Sequence, residues 1–263
     1  MASDTPGADA VQRVDAAKAL AVSPAYLAGE DRSAGAHVSR LLELDFDWSV
    51  RRLGIANFIL DSPCRRARIG YLPTRDDYTP LWIVNVAKGP MHPALWRMAF
   101  EHGAPSELVA ALAQPLAVAL AGGATISKDN DAPDLIVAPL RQAGWQKRLP
   151  APPADLPKTE ILGFVSPDGL AAVQRHTIQQ DEEDGLRRGS AWEITTGPPG
   201  ARWTATFSSA VPDHLVAAAT RWLASPQPVF RDKRELAPES LEHLRITSRS
   251  TRPRDDGHRH PQG

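Results

Sequence analysis

Five arginines, Arg51, Arg52, Arg65, Arg66 and Arg68, lie close together in the first quarter of the chain. A guanidinium is a planar fork of donors that matches a phosphate or a carboxylate, so such a set is a candidate contact for nucleic acid or for an acidic protein. If Arg66 and Arg68 alternate outward along one strand, they share a face. Gln174 and His176 are expected at the corresponding places in the second half. Only one half would then present a basic hairpin. The competing expectation is a charged sheet face that keeps the protein soluble.

Other reactive residue types lack the neighbours that chemistry needs. Cys64 precedes Arg65 and Arg66, which would favour a thiolate, but no histidine stands near it in sequence to act as a base. His37, His92, His102, His176, His214 and His243 show no metal-ligand spacing, and His258 with His260 reads as a solvated pair near the end. The run Asp181-Glu182-Glu183-Asp184 lacks the alternation and glycine of a calcium loop. It reads as a solvated loop paired with Arg187 and Arg188. Motifs of the G-x-S-x-G, G-x-x-x-x-G-K-[ST] and G-x-G-x-x-G type are absent from the sequence. No catalytic residue, metal ligand or cofactor site is therefore expected.

Composition narrows the classes further. The chain has 263 residues, 42% hydrophobic and 23% charged, with a formal net charge of -1. It should fold around a core, and it exerts no global attraction on nucleic acid or anionic lipid. The lone cysteine fits a reducing compartment. The polar opening MASDTPGADA is unlike a secretory signal, and the most apolar run, Leu108 to Ala121, is broken by Gln114 and Pro115. A cytoplasmic location without membrane contact is expected.

The elements that must position these residues come twice. Leu95 to Ala117 aligns with Arg202 to Ala224 without a gap at an offset of 107, with identity at nine of 23 positions. Unrelated segments of such composition would share about two. Upstream, Trp82 corresponds to Trp192, Ser62-Pro63 to Ser166-Pro167, and Val38 and Leu42 to Ile136 and Leu140. Only loop lengths differ, as in diverged duplicates.

The fold class expected is α+β, as two tandem repeats, each helix, four-stranded antiparallel sheet, helix. The strands are placed at 55–60, 66–72, 81–86 and 95–100, then at 161–165, 171–178, 191–196 and 202–207. Trp96, Met98 and Phe100 alternate onto one strand face, as do Trp203, Ala205 and Phe207. The stripes Leu108, Leu112, Leu116 and Leu215, Ala219, Leu223 suit a covering helix, with Ser106 and Asp213 as N-caps. Trp82, Trp96, Trp192 and Trp203 are expected as core anchors rather than base-stacking platforms. The second face of each sheet is left for a partner, the twin repeat among the candidates. The boundaries expected are a flexible arm over 1–24, repeats over 25–122 and 130–226, and an extension over 227–263 with a short helix and a disordered basic tail.

Several of these segments resemble a known family. V-S-P-x-Y-L-A-G (Val22 to Gly29), A-P-L-R-x-A-G-W (Ala138 to Trp145), S-P-D-G (Ser166 to Gly169) and W-x-A-x-F (Trp203 to Phe207) are similar to segments of actinomycete proteins with tandem SPDY domains. The resemblance spans about residues 22 to 225. In the first repeat, Leu-Leu-Glu-Leu replaces Pro-Leu-Arg-x, and Cys64-Arg65 replaces Asp-Gly. What the resemblance implies is two copies of a domain of unknown function, with no catalytic residues. The function expected is a non-catalytic binding or scaffold protein whose partner is another protein. The alternative is nucleic-acid binding through Arg51, Arg52, Arg65, Arg66 and Arg68 with the arginine-rich tail.

Overall fold

The computed structural model describes residues 19–31, 33–75, 79–124, 126, 132–148, 162–176 and 190–248. The acidic run 181–184, Arg187, Arg188, His258, His260 and the end of the arginine-rich tail lie outside the described residues, as does most of the N-terminal arm.

The first repeat begins with helix α1 (Ala34–Phe46), whose Val38 and Leu42 are wholly buried. Five strands follow it: β2 (Ser49–Leu53), β3 (Asn57–Asp61), β4 (Ala67–Tyr71), β5 (Trp82–Ala87) and β6 (Ala94–Phe100). Helix α2 (Ser106–Ala121) closes the repeat. The second repeat has the same order. Helix α3 (Pro133–Gln142) precedes β7 (Gln146–Lys147), β8 (Leu162–Val165), β9 (Ala171–Arg175), β10 (Ser190–Thr196) and β11 (Trp203–Ser208), and helix α4 (Asp213–Ala224) ends it. Each repeat thus has five strands where four are expected. The extra ones, β2 and β7, extend the ladder at its two outer edges. Five consecutive β2 residues lack period-2 alternation because an edge strand buries little.

The ten strands form one antiparallel sheet in the order β2-β3-β4-β5-β6-β11-β10-β9-β8-β7. The repeats join edge to edge rather than face to face. Ala99 pairs with Thr206, Met98 with Phe207, and Phe100 with Ala205. At the 107-residue offset Ala99 and Thr206 are equivalent, and the two flanking pairs exchange under the same operation. The ladder therefore sits on a pseudo-twofold axis, the symmetry of an isologous dimer built into one chain.

The four helices cover one face of the sheet, α2 against α4 in the middle and α1 and α3 outside them. Phe58, Tyr71, Trp82, Phe100, Ala205, Ile194, Val173 and Phe164 form one cross-strand row on that face. All of these residues are buried. Leu108, Leu112 and Leu116 of α2, and Leu215, Ala219 and Leu223 of α4, pack onto this layer. The helices start at Ser106 and Asp213, so Pro105 and Pro212 hold the N-cap positions instead. The Asp213 carboxylate accepts from the Ala132 N–H, tying α4 to the entry of α3.

Residues 20–23 and 229–248 are more ordered than their composition implies. Leu20–Ser23 forms β1, flanked by β12 (Val229–Arg231) and β13 (Arg245–Ser248) in a small sheet. The arm is thus a strand from Leu20, and Arg245 to Ser248 is a strand rather than tail. The short helix expected in this extension is of the 3₁₀ type, in two pieces, Lys233–Glu235 and Pro238–His243, that link β12 to β13. Backbone pairing with β1 supplies what apolar periodicity does not.

Trp96 and Trp203 occupy equivalent buried positions, 1% and 2% exposed. Their acceptors are exchanged across the axis. Trp203 Nε1 of the second repeat donates to the carbonyl of Tyr26 (3.1 Å), in the chain leading into the first helix. Trp96 Nε1 of the first repeat donates to the carbonyl of Ile126 (2.8 Å), in the chain leading into α3. Each repeat thereby completes the core of the other.

Candidate binding surface

The Ser-Pro turns are built alike in both repeats. Ser62 and Ser166 are buried, and the hydroxyl of each accepts from the N–H five residues on, that of Ala67 (3.0 Å) or Ala171 (2.9 Å). The fourth turn residue has positive φ, 77° at Gly169 and 55° at Arg65. In the second repeat the Asp168 carboxylate binds the Ser166 hydroxyl, the Leu170 N–H and the Tyr26 hydroxyl. Burial pushes the Tyr26 hydroxyl well above its ordinary pKa, and the bond to Asp168 adds to this. The Tyr26 ring stands edge-on to Trp145. In the first repeat Cys64 replaces Asp168. It is exposed, with its Sγ 3.5 Å from the Ser62 hydroxyl. The second turn, itself exposed, is tied to the N-terminal segment by the Tyr26 hydroxyl, whereas the first carries Arg65 and Arg66.

The five arginines do not form one patch. Arg51 and Arg68 lie on the sheet face away from the helices and share Asp61, at 3.5 and 2.7 Å. Arg52 alternates to the helix side, opposite Phe58. Arg65 sits exposed at the turn. Arg66 reaches back to the Ala124 carbonyl past the end of α2 (3.4 Å), so it does not run beside Arg68, and its Nε is buried without a partner. The turn alignment makes Leu170 and Ala172, not Gln174 and His176, the counterparts of Arg66 and Arg68. Gln174 and His176 lie farther along β9 and beyond its end, the latter 4.0 Å from Glu193.

The strand register reveals two cations that the sequence reading missed. Arg68 faces Asn85, and Asn85 faces Arg97. Arg97 and Lys88 are both exposed, Lys88 just beyond β5 where the Ala87 N–H bonds the Arg66 carbonyl. Their signal was weak, because charged residues separated widely in sequence meet only through the β4-β5-β6 ladder.

The face that the described residues leave uncovered carries a central row of Arg51, Ile59, Gly70, Ile83, Ala99, Thr206, Glu193 and Gln174. Among the described residues of the ten strands, every aromatic ring lies on the helix side. On the opposite side of the molecule, α2 and α4 leave a groove of about 770 Å³ beside Pro115, Val118 and Trp222. A third polar cluster lies inside. Tyr71 donates to Glu30 (2.9 Å), and burial raises the pKa of both. Among the described residues no group of three or more His, Cys, Asp or Glu is placed to hold a metal ion, and no helix is long and apolar enough to cross a membrane.

A family model described as "SPDY: Domain of unknown function (DUF317)" matches residues 61–119 and 165–229. Each match opens at the Ser-Pro turn and runs through three strands and the closing helix. No curated protein and no solved structure matches the chain. The two matched segments lie one in each dyad-related half of the sheet, and the chain is a tandem SPDY-domain protein.

Proposed function

We propose that this chain is a non-catalytic binding protein that presents its uncovered sheet face and the adjoining turns to another protein. The observation that carries this reading is the division of the sheet into two unlike faces. One face buries its aromatic rings under four helices. The other offers a flat row of small, aliphatic and hydroxyl side chains, Ile59, Ile83, Ala99 and Thr206, rimmed by Arg51, Arg68 and Glu193. Apolar centre and polar rim is the layout of a protein interface. A single-strand nucleic-acid platform would need rings on that face for bases to stack on.

The test is affinity capture from native lysate after nuclease treatment, with wild type, Thr206→Glu on the open face, and Arg52→Glu on the helix side as control. The expected result is one protein retained by wild type and the control and lost with Thr206→Glu. Equal retention by all three, or recovery only of nucleic acid when nuclease is omitted, contradicts the reading.

A further inference from the structure

Resting on the binding reading above, we infer that the turn end of the first repeat docks a short acidic segment of the partner protein, held by Arg65, Arg68, Lys88 and Arg97 with Met91 as an apolar anchor. The β3-β4 turn and the β5-β6 connection project from the same end of the sheet, because both β3 and β5 run toward it. Arg68 and Arg97 flank Asn85 on the open face, two strand spacings or about 10 Å apart. Arg65 and Lys88 extend the set from the face onto the turns. Asp61 neutralises part of the charge by holding Arg51 and Arg68. Among the described residues Arg97 and Lys88 have no ion pair.

The second repeat serves as an internal control. It builds the same turn and the same three strands with Gly169 for Arg65, Ala172 for Arg68, Pro198 for Lys88 and Thr204 for Arg97. The scaffold therefore needs none of these cations, and solvation alone does not explain their gathering at one end. Both turns are exposed, and in the second the Asp168 carboxylate accepts from the Tyr26 hydroxyl where the first presents Cys64 and Arg65.

The dimensions select a short anion. The cations span β4 to β6 and are bounded on the open face by Asp61 of β3 and Glu193 of β10. A long phosphate backbone would run over those carboxylates, while a few side-chain carboxylates would not. Among the described residues no ring of the sheet faces this side to stack a base. Met91, fully exposed with a φ of 64°, stands in the same connection as Lys88. A segment mixing Asp or Glu with one large apolar residue meets both features.

Fluorescence anisotropy with the full chain tests this. The probes are a fluorescein-labelled (Glu-Glu-Leu)4 peptide and single- and double-stranded oligonucleotides, at about 50 mM and about 200 mM salt. The variants are Lys88→Glu/Arg97→Glu and, as control, Arg52→Glu, each shown to fold by circular dichroism and thermal melting. The expected result is saturable peptide binding, weakened by salt, lost at least tenfold in the double variant and retained in the control. Absence of peptide binding at low salt, equal binding by the double variant, or tighter binding of either oligonucleotide overturns the inference. If it fails while Thr206→Glu still abolishes capture of the partner, the binding reading stands and only the acidic segment is withdrawn.

Discussion

Arg231 and Glu107 form a bidentate ion pair, at 2.6 and 2.7 Å, with the Arg231 side chain wholly excluded from solvent. The remaining guanidinium donors go to the carbonyls of Gly29 and Phe230. Glu107 lies in the first turn of α2, where the helix dipole favours a carboxylate. One side chain thus ties β12 to the N-terminal segment and to the first repeat. Removing one partner of such a pair leaves a buried charge uncompensated, at about 3–5 kcal/mol. Glu107→Ala should lower the stability measured by urea unfolding by about that amount. The double variant Arg231→Met/Glu107→Leu should recover most of it.

Trp96→Ala and Trp203→Ala should each cost about 3–5 kcal/mol. Trp96→Phe should cost about 1–3 kcal/mol, because it still fills space but leaves the Ile126 carbonyl without its indole donor. Trp203→Phe should cost less, about 0.5–1.5 kcal/mol, because the Tyr26 carbonyl still accepts from the Thr196 hydroxyl. Denaturant titration of the four variants checks these values. Similar losses are expected of the two alanine variants, since the exchanged acceptors make the core one cooperative unit.

Arg65 carries a positive φ that Gly169 adopts freely in the twin turn. Arg65→Gly should therefore stabilise by up to about 1 kcal/mol, and Gly169→Ala should destabilise by a similar amount. Opposite shifts in thermal midpoint would confirm the common turn geometry. Gly197 is stricter, because a Cβ there would fall 2.2 Å from the Ala201 carbonyl oxygen.

Burial raises the Glu30 pKa, so the folded state holds this proton more tightly than the unfolded chain does. Between the two values the native state binds more protons, and its stability falls as pH rises. Glu30→Gln keeps an acceptor for the Tyr71 hydroxyl without the charge. The variant should gain on the wild type as pH rises from the ordinary carboxylate range toward the raised folded-state pKa. The two should converge below that range. Unfolding midpoints across that pH interval provide the check.

The duplicated Trp-x-x-x-Phe strands, the Leu108 and Leu215 stripes and the Ser-Pro turns were legible because each rests on short-range pattern. β2 and β7 were not, since an edge strand buries too little to show alternation. The β6–β11 join was hidden for another reason. Each strand's pattern is satisfied by its own helix, and nothing local specifies what pairs with its free edge. Arg66 and Arg68 were expected to share a face, but it is Arg51 that joins Arg68, through an Asp61 whose position depends on register. Arg97 and Lys88 became visible only when the ladder brought them beside Arg68.

The central claim, that the two domains share one sheet about the Ala99–Thr206 axis and leave that face uncovered, is tested by one engineered disulfide. Ala99→Cys/Thr206→Cys is made in a Cys64→Ser background. Directly opposed residues of an antiparallel pair have Cα atoms about 4.5–5.5 Å apart, within disulfide reach. Mild oxidation of the folded monomer should yield an intramolecular bond, seen as a loss of two thiols by mass spectrometry with no drop in thermal midpoint. The reduced form should react readily with a bulky maleimide, because the face is open. Failure to form the bond in the folded monomer, or thiols that react only after unfolding, would contradict the account.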